Sequence, residues 1–95
     1  MQDDNHRQVE VEVTISNVQG LHARPVMRFV DLAGQYTSRI KVCKGNHCVD
    51  AKSPMEMMLL EGTPGTVLKL VAEGADAAQA VEALAGLVNS KFGED

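Results

Sequence analysis

The sequence predicts an α+β domain in which a four-stranded antiparallel sheet carries three helices on one face. Three observations lead there. Val9, Val11, Val13 and Ile15 alternate with Glu10, Glu12 and Thr14, the period-two pattern of a half-buried strand. Val26, Phe29, Val30 and Ala33 fall at i, i+3, i+4 and i+7, which places them on one face of a helix. Between two further alternating runs stands Gly45-Asn46, a two-residue hairpin turn that makes its flanking strands antiparallel. An antiparallel sheet can leave one face to water, so the helices need to cover only the other.

The elements follow in order. Residues 1–8 are polar and predict a disordered tail; His6 lies in it and takes no role. The single domain spans 9–92. Its first strand starts at Val9, and Asn17 to Gly20 form the loop into a helix from about Ala23 to Ala33, closed by Gly34. Ile40 and Val42, then Val49 and Ala51, point to the core from the two hairpin strands. Ser53-Pro54-Met55-Glu56 reads as a helix start, with a serine cap, proline at the first position and glutamate at the third. That short helix runs to about Leu60. Thr66 to Glu73 form the last strand, with Leu68, Leu70 and Ala72 on one side. Asp76 and Gln79 predict a second capping box, opening a helix that runs to about Ser90 with Ala77, Val81, Leu84 and Val88 inward.

Composition narrows the function. A chain of 95 residues makes one domain, and with 44% hydrophobic residues it can build a core from aliphatic side chains. The net charge of −4 argues against nucleic-acid binding, since phosphate contacts need clustered Lys and Arg. No apolar run is long enough for a membrane span, and residues 1–8 lack the apolar stretch of a secretory signal, so a cytoplasmic address is the expectation; separately, a monomer is expected. No phosphate-binding glycine loop or acidic metal cluster occurs, and no metal or cofactor is expected. Cys43 and Cys48 flank the hairpin turn and should lie opposite one another on its solvent face. A disulfide is one reading and, with His47, a metal site another. Two free thiols are preferred, because a reducing cytosol disfavours the disulfide and two or three ligands on one hairpin make a poor zinc site.

Chemistry concentrates in Gly20-Leu21-His22-Ala23-Arg24-Pro25. His22 stands where a helix begins, and first-turn N–H groups point outward in a partial positive field. A phosphoryl group on His22 would meet the backbone N–H groups of Ala23 and Arg24, and the Arg24 guanidinium can fork onto its oxygens. Pro25 costs little in the first turn. Read from residues alone, a lone His at a helix start is more often a solvated cap than a phosphate carrier. Met27 on the first helix, with Met55 and Met58 on the short one, is apolar where polar residues are usual; either short helices of a small domain simply leave Met partly exposed or, the preferred reading, flexible thioethers form a partner surface. Arg24, Arg28 and Lys52 add a positive rim.

Gly-Leu-His-Ala-Arg-Pro resembles the active-site signature of HPr, the histidine phosphocarrier family of the bacterial phosphoenolpyruvate-dependent phosphotransferase system. Lys52-Ser53, Gly65-Thr66 and Glu73-Gly74-Ala75-Asp76 continue the likeness, which covers about Val9 to Phe92. The resemblance implies the open-faced β-sandwich of that family. It implies further that His22 accepts a phosphoryl group on Nδ1 from phospho-enzyme I and passes it to enzyme IIA-type acceptors, in sugar uptake or in the nitrogen-related branch. Such a protein is a carrier rather than an enzyme. Ser53 matches a serine phosphorylated in some relatives by HPr kinase/phosphorylase, although Pro54 and Glu56 depart from the family's usual residues and Ser53 is already explained as a cap. A non-transferring regulator acting through the Ser53 helix is the alternative; relatives of that kind lack the histidine that this chain retains.

Overall fold

The computed structural model describes residues 7–94. Seven principal elements follow one another: β1 (Gln8–Thr14), α1 (Ala23–Ala33), β2 (Arg39–Lys44), β3 (His47–Asp50), α2 (Pro54–Met58), β4 (Val67–Glu73) and α3 (Ala77–Asn89), before a short 3₁₀ turn at Lys91–Gly93. The sheet order is β1-β4-β2-β3, with every neighbouring pair antiparallel. Because β1 and β2 both run against β4, the connection between them through α1 must pass over a sheet face. The connection from β3 to β4 through α2 does the same. Both crossovers and α3 lie on one side, which leaves the other side of the sheet open.

Register explains the core. Val11 faces Leu70 and Val13 faces Leu68 across β1 and β4, while Ile40 faces Ala72 and Val42 faces Leu70 across β2 and β4. These side chains meet Val26, Phe29 and Val30 of α1 and Ala77, Ala80, Val81, Leu84 and Val88 of α3 in one buried cluster. The core is aliphatic except for Phe29 and Phe92, each almost fully buried.

Four sequence expectations need correction. The tail does not extend through residue 8, because Gln8 pairs with Glu73 in β1; His6 lies outside the described residues. The Ser53 helix is shorter than its pattern suggests and ends at Met58. Asp76 occupies the N-cap position of α3 but makes no cap. Its carboxylate accepts instead from Thr37 N at 2.8 Å, Ser38 N at 2.9 Å and both hydroxyls of that pair. Four donors on the approach to β2 outweigh one helix-end amide. Finally, Cys43 and Cys48 are not free thiols: they are joined in a disulfide. The β2–β3 register sets them directly opposite, with Cα atoms 4.0 Å apart. Cys43 is buried rather than solvent-facing, and Cys48 is exposed.

Candidate functional site

Placement of His22 begins in the loop before it. Gly20 adopts φ +66°, and a Cβ there would strike the carbonyl oxygen of Gly62, so only glycine fits a turn held this close to the neighbouring loop. Leu21 N donates to Gly62 O at 2.7 Å and fastens the loop from the other side. Asn17, fully buried, donates through Nδ2 to Gly20 O at 2.7 Å. These bonds deliver His22 to the N-cap position of α1 in extended backbone geometry, with φ −100° and ψ −171°. The His22 carbonyl accepts the first helical bond, from Val26 N, while its ring makes no cap bond. First-turn amides of Ala23 and Arg24 have no intrahelical partner, and their dipoles favour an anion near the ring.

The ring is about one-third exposed, and its Nε2 lies 3.1 Å from Glu94 Oε1. That same oxygen accepts from Asn17 Nδ2 at 2.9 Å. The hydrogen bond from His22 first, and that from Asn17 second, hold the Glu94 carboxyl below its ordinary value. A carboxylate can only accept, so Nε2 carries the proton and, in the neutral ring, the lone pair sits on Nδ1. Val18, Gln19, His22, Arg24 and Glu94 line an open cavity of about 450 Å³. It can take up a phosphoryl group bordered by a nucleophilic nitrogen, a guanidinium and a competing carboxylate.

The other sequence-derived residues divide. Ala23, Val26, Met27, Pro54, Met55 and Met58 line a wholly apolar groove between α1 and α2, adjoining His22. Met55 is exposed at 78%, Met27 and Met58 at about 45%. Ser53 caps α2, its Oγ accepting from Glu56 N at 3.2 Å. Arg28 and Lys52 are turned to internal work: Arg28 Nη1 donates to Phe92 O at 2.9 Å, and Lys52 Nζ to Tyr36 O at 2.7 Å. Of the expected positive rim, Arg24 alone lines the His22 cavity. The sequence assigns no site role to Asn17 or Glu94, nor to exposed Val18 and Leu59. Asn17 looks like any loop polar residue, and no local spacing connects Glu94 to a histidine 72 positions earlier.

A one-sided antiparallel sheet with a partly exposed histidine at the N-terminus of its first helix, in an open cavity, defines an α+β domain of the open-faced sandwich class. Comparison with known proteins gives the family. The family model described as PTS HPr component phosphorylation site matches residues 9–90. Phosphocarrier protein HPr of Neisseria meningitidis serogroup A is 43% identical over 82 residues, covering 86% of this chain and 92% of that protein. Phosphocarrier protein NPr of Shewanella violacea is 35% identical over 86 residues, covering 90% and 94%. The crystal structure of HPr-C-His from Thermoanaerobacter tengcongensis superposes with a TM-score of 0.88 at 48% identity, covering 92% of this chain and 98% of that one. The chain belongs to the HPr family, whose members are phosphoryl-transfer intermediates of the phosphotransferase system rather than enzymes.

Proposed function

We propose that His22 is the phosphoryl acceptor, through Nδ1, and that the groove lined by Met27, Met55 and Met58 docks the proteins that load and unload it. One observation carries the reading: Glu94 Oε1, 3.1 Å from Nε2, accepts from that nitrogen and favours the tautomer with its lone pair on Nδ1. Phosphoryl transfer needs little covalent help beyond positioning and charge compensation. Here the α1 amides and Arg24 supply the charge, and the partner proteins supply the rest. By the chemistry of the family, the donor is phospho-enzyme I and the acceptors are enzyme IIA-type proteins of a sugar or nitrogen branch. The site of action is the cytoplasm; among the described residues no helix is long and apolar enough to cross a membrane. Ser53 is a secondary phosphorylation candidate for an ATP-dependent HPr kinase.

Incubation with enzyme I and phosphoenolpyruvate tests the assignment. Mass spectrometry at neutral pH should find one acid-labile phosphate on His22, absent from His22→Ala. Phosphate on another residue, or none on wild type, overturns it. Acid-stable label on Ser53 after treatment with HPr kinase decides the second candidate.

A further inference from the structure

The Cys43–Cys48 bond is an unpromising staple. It closes a loop with a sequence separation of 5, inside a hairpin whose ladder is already formed. A short loop has little unfolded-state entropy to remove, so such a cross-link stabilises at the small end of the range. Its two ends differ in access. Cys43 is 9% exposed, whereas Cys48 is open to solvent. A cleft of about 530 Å³ opens beside Cys48 and does not reach Cys43; Arg39, Lys41 and Lys52 line it, together with Asp50 and Glu56. The acids are partly engaged, since Asp50 Oδ1 accepts from Lys52 N and Glu56 Oε1 from Asp50 N. Lys52 is tied to Tyr36 O. The two exposed cations on this wall are therefore Arg39 and Lys41.

We propose that this hairpin is a thiol–disulfide exchange site, opened at Cys48 by a small carboxylate-bearing thiol that seats in the cleft against Arg39 and Lys41. The incoming thiolate RS⁻ attacks Cys48 Sγ. The Cys43–Cys48 bond breaks, a Cys48–S–S–R bond forms, and the electron pair leaves on Cys43 Sγ as thiolate. Lys69 stands opposite Cys43 on β4, and Lys41 lies two positions away on the same face, so positive charge flanks the leaving sulfur. Glu12, opposite Lys69 on the other side, tempers that field. A second RS⁻ attacks the R-side sulfur of the mixed disulfide and releases RSSR and the Cys48 thiolate. The protons of the two RSH molecules end on Cys43 and Cys48. Two thiols are thus oxidised as the protein disulfide is reduced, and RSSR drives the reverse.

The test uses the full oxidised chain with reduced glutathione, a thiol bearing two carboxylates, and in parallel with cationic cysteamine. Acid quenching, alkylation and peptide mapping locate the adduct. One glutathione should appear on Cys48 and none on Cys43. Its rate per thiolate should exceed that of cysteamine by roughly fivefold at low salt, and the advantage should vanish at high salt or in Arg39→Ala/Lys41→Ala. With oxidised glutathione, Cys43→Ser should still form the Cys48 adduct and Cys48→Ser should form none, circular dichroism confirming the fold of each. The proposal is overturned by an adduct on Cys43, by equal rates for the two thiols, or by reduction through a protein dithiol alone. Isolation with free thiols that oxidised glutathione fails to join overturns it as well.

Discussion

Glu94 Oε1 sits 3.1 Å from His22 Nε2, in a cavity whose remaining charged group is Arg24. The carboxylate therefore acts in opposite directions at two stages. On the proposed assignment, before transfer it holds the proton on Nε2 and keeps Nδ1 available. With a phosphoryl group on Nδ1 it would be a negative charge beside a dianion, competing for the same guanidinium and helix-end field. Glu94→Gln keeps an acceptor and deletes the charge. The equilibrium with phospho-enzyme I should then shift toward phosphorylated protein by roughly threefold, since like charges a few ångströms apart near a surface interact weakly but measurably. Equilibrium mixtures quantified by mass spectrometry read this directly. A shift toward the unphosphorylated form would refute the competing role.

The C-terminal turn that carries Glu94 depends on Phe92. Lys91 and Phe92 both adopt left-handed backbone, with φ +59° and +57°, at a cost of about 1 kcal/mol or more each for non-glycine residues. Burial of the Phe92 ring offsets that strain, and Arg28 Nη1 on Phe92 O locks the turn to α1. Phe92→Ala should lose about 3–4 kcal/mol of unfolding free energy. It should also release Glu94, so the phosphotransfer equilibrium should move as it does in Glu94→Gln. Arg28→Met should reproduce the second effect with a smaller loss in urea midpoint. Unchanged transfer in both variants would uncouple the turn from the site.

How far the sequence discloses this structure depends on the range of each signal. The bounds of α1 follow from its apolar stripe and the Gly-Leu-His-Ala-Arg-Pro start, all local features, and the Ser53 cap forms as its motif suggests. Val13 and Leu68 were recognisable as inward residues, but their pairing depends on sheet order, which alternation does not encode. Asp76 misled because a cap motif is judged on the helix it begins, whereas the winning donors, Thr37 and Ser38, arrive from another element. Glu94 failed for the same reason: a residue near the chain end becomes part of the site only after α3 has folded back. The hairpin spacing sets Cys43 and Cys48 opposite, but whether they bond depends on the redox compartment, which spacing does not encode.

Asp76 makes a pH prediction with a definite sign. Hydrogen bonding from the Ser38 hydroxyl, opposed by desolvation and reinforced by the Thr37 and Ser38 amides, lowers its carboxyl from 3.8 to about 2. The folded state thus binds a proton less readily than the unfolded chain. Its contribution is complete above about pH 4 and disappears as pH falls through about 2. Asp76 is partly exposed, so after solvent screening the contribution is on the order of 1 kcal/mol. Other carboxylates titrate in the same window, so the difference between wild type and Asp76→Asn isolates this one. Urea unfolding should find wild type the more stable at pH 6 and the gap closed at pH 2. A gap that widens on acidification would contradict the assignment.

The groove between α1 and α2 gives the last prediction. Met55 and Met58 are exposed in the groove that begins at Ala23, next in sequence to His22, and take little part in the core, which Met57 joins instead. Replacing either exposed methionine by glutamate should leave the fold intact within about 0.5 kcal/mol. Docking should suffer far more, because a charge driven into a desolvated apolar contact is costly, and a single anchor of this kind is worth about 1–2 kcal/mol. The kcat/KM for phosphoryl uptake from enzyme I should fall roughly tenfold for Met55→Glu, through KM, and about a hundredfold for the double variant. Met57→Glu is the contrasting control, since it should unfold the protein rather than impair docking alone. If Met55→Glu and Met58→Glu accept phosphate at the wild-type rate, the groove does not dock the donor, and the partner must reach His22 from the Val18 side of the cavity.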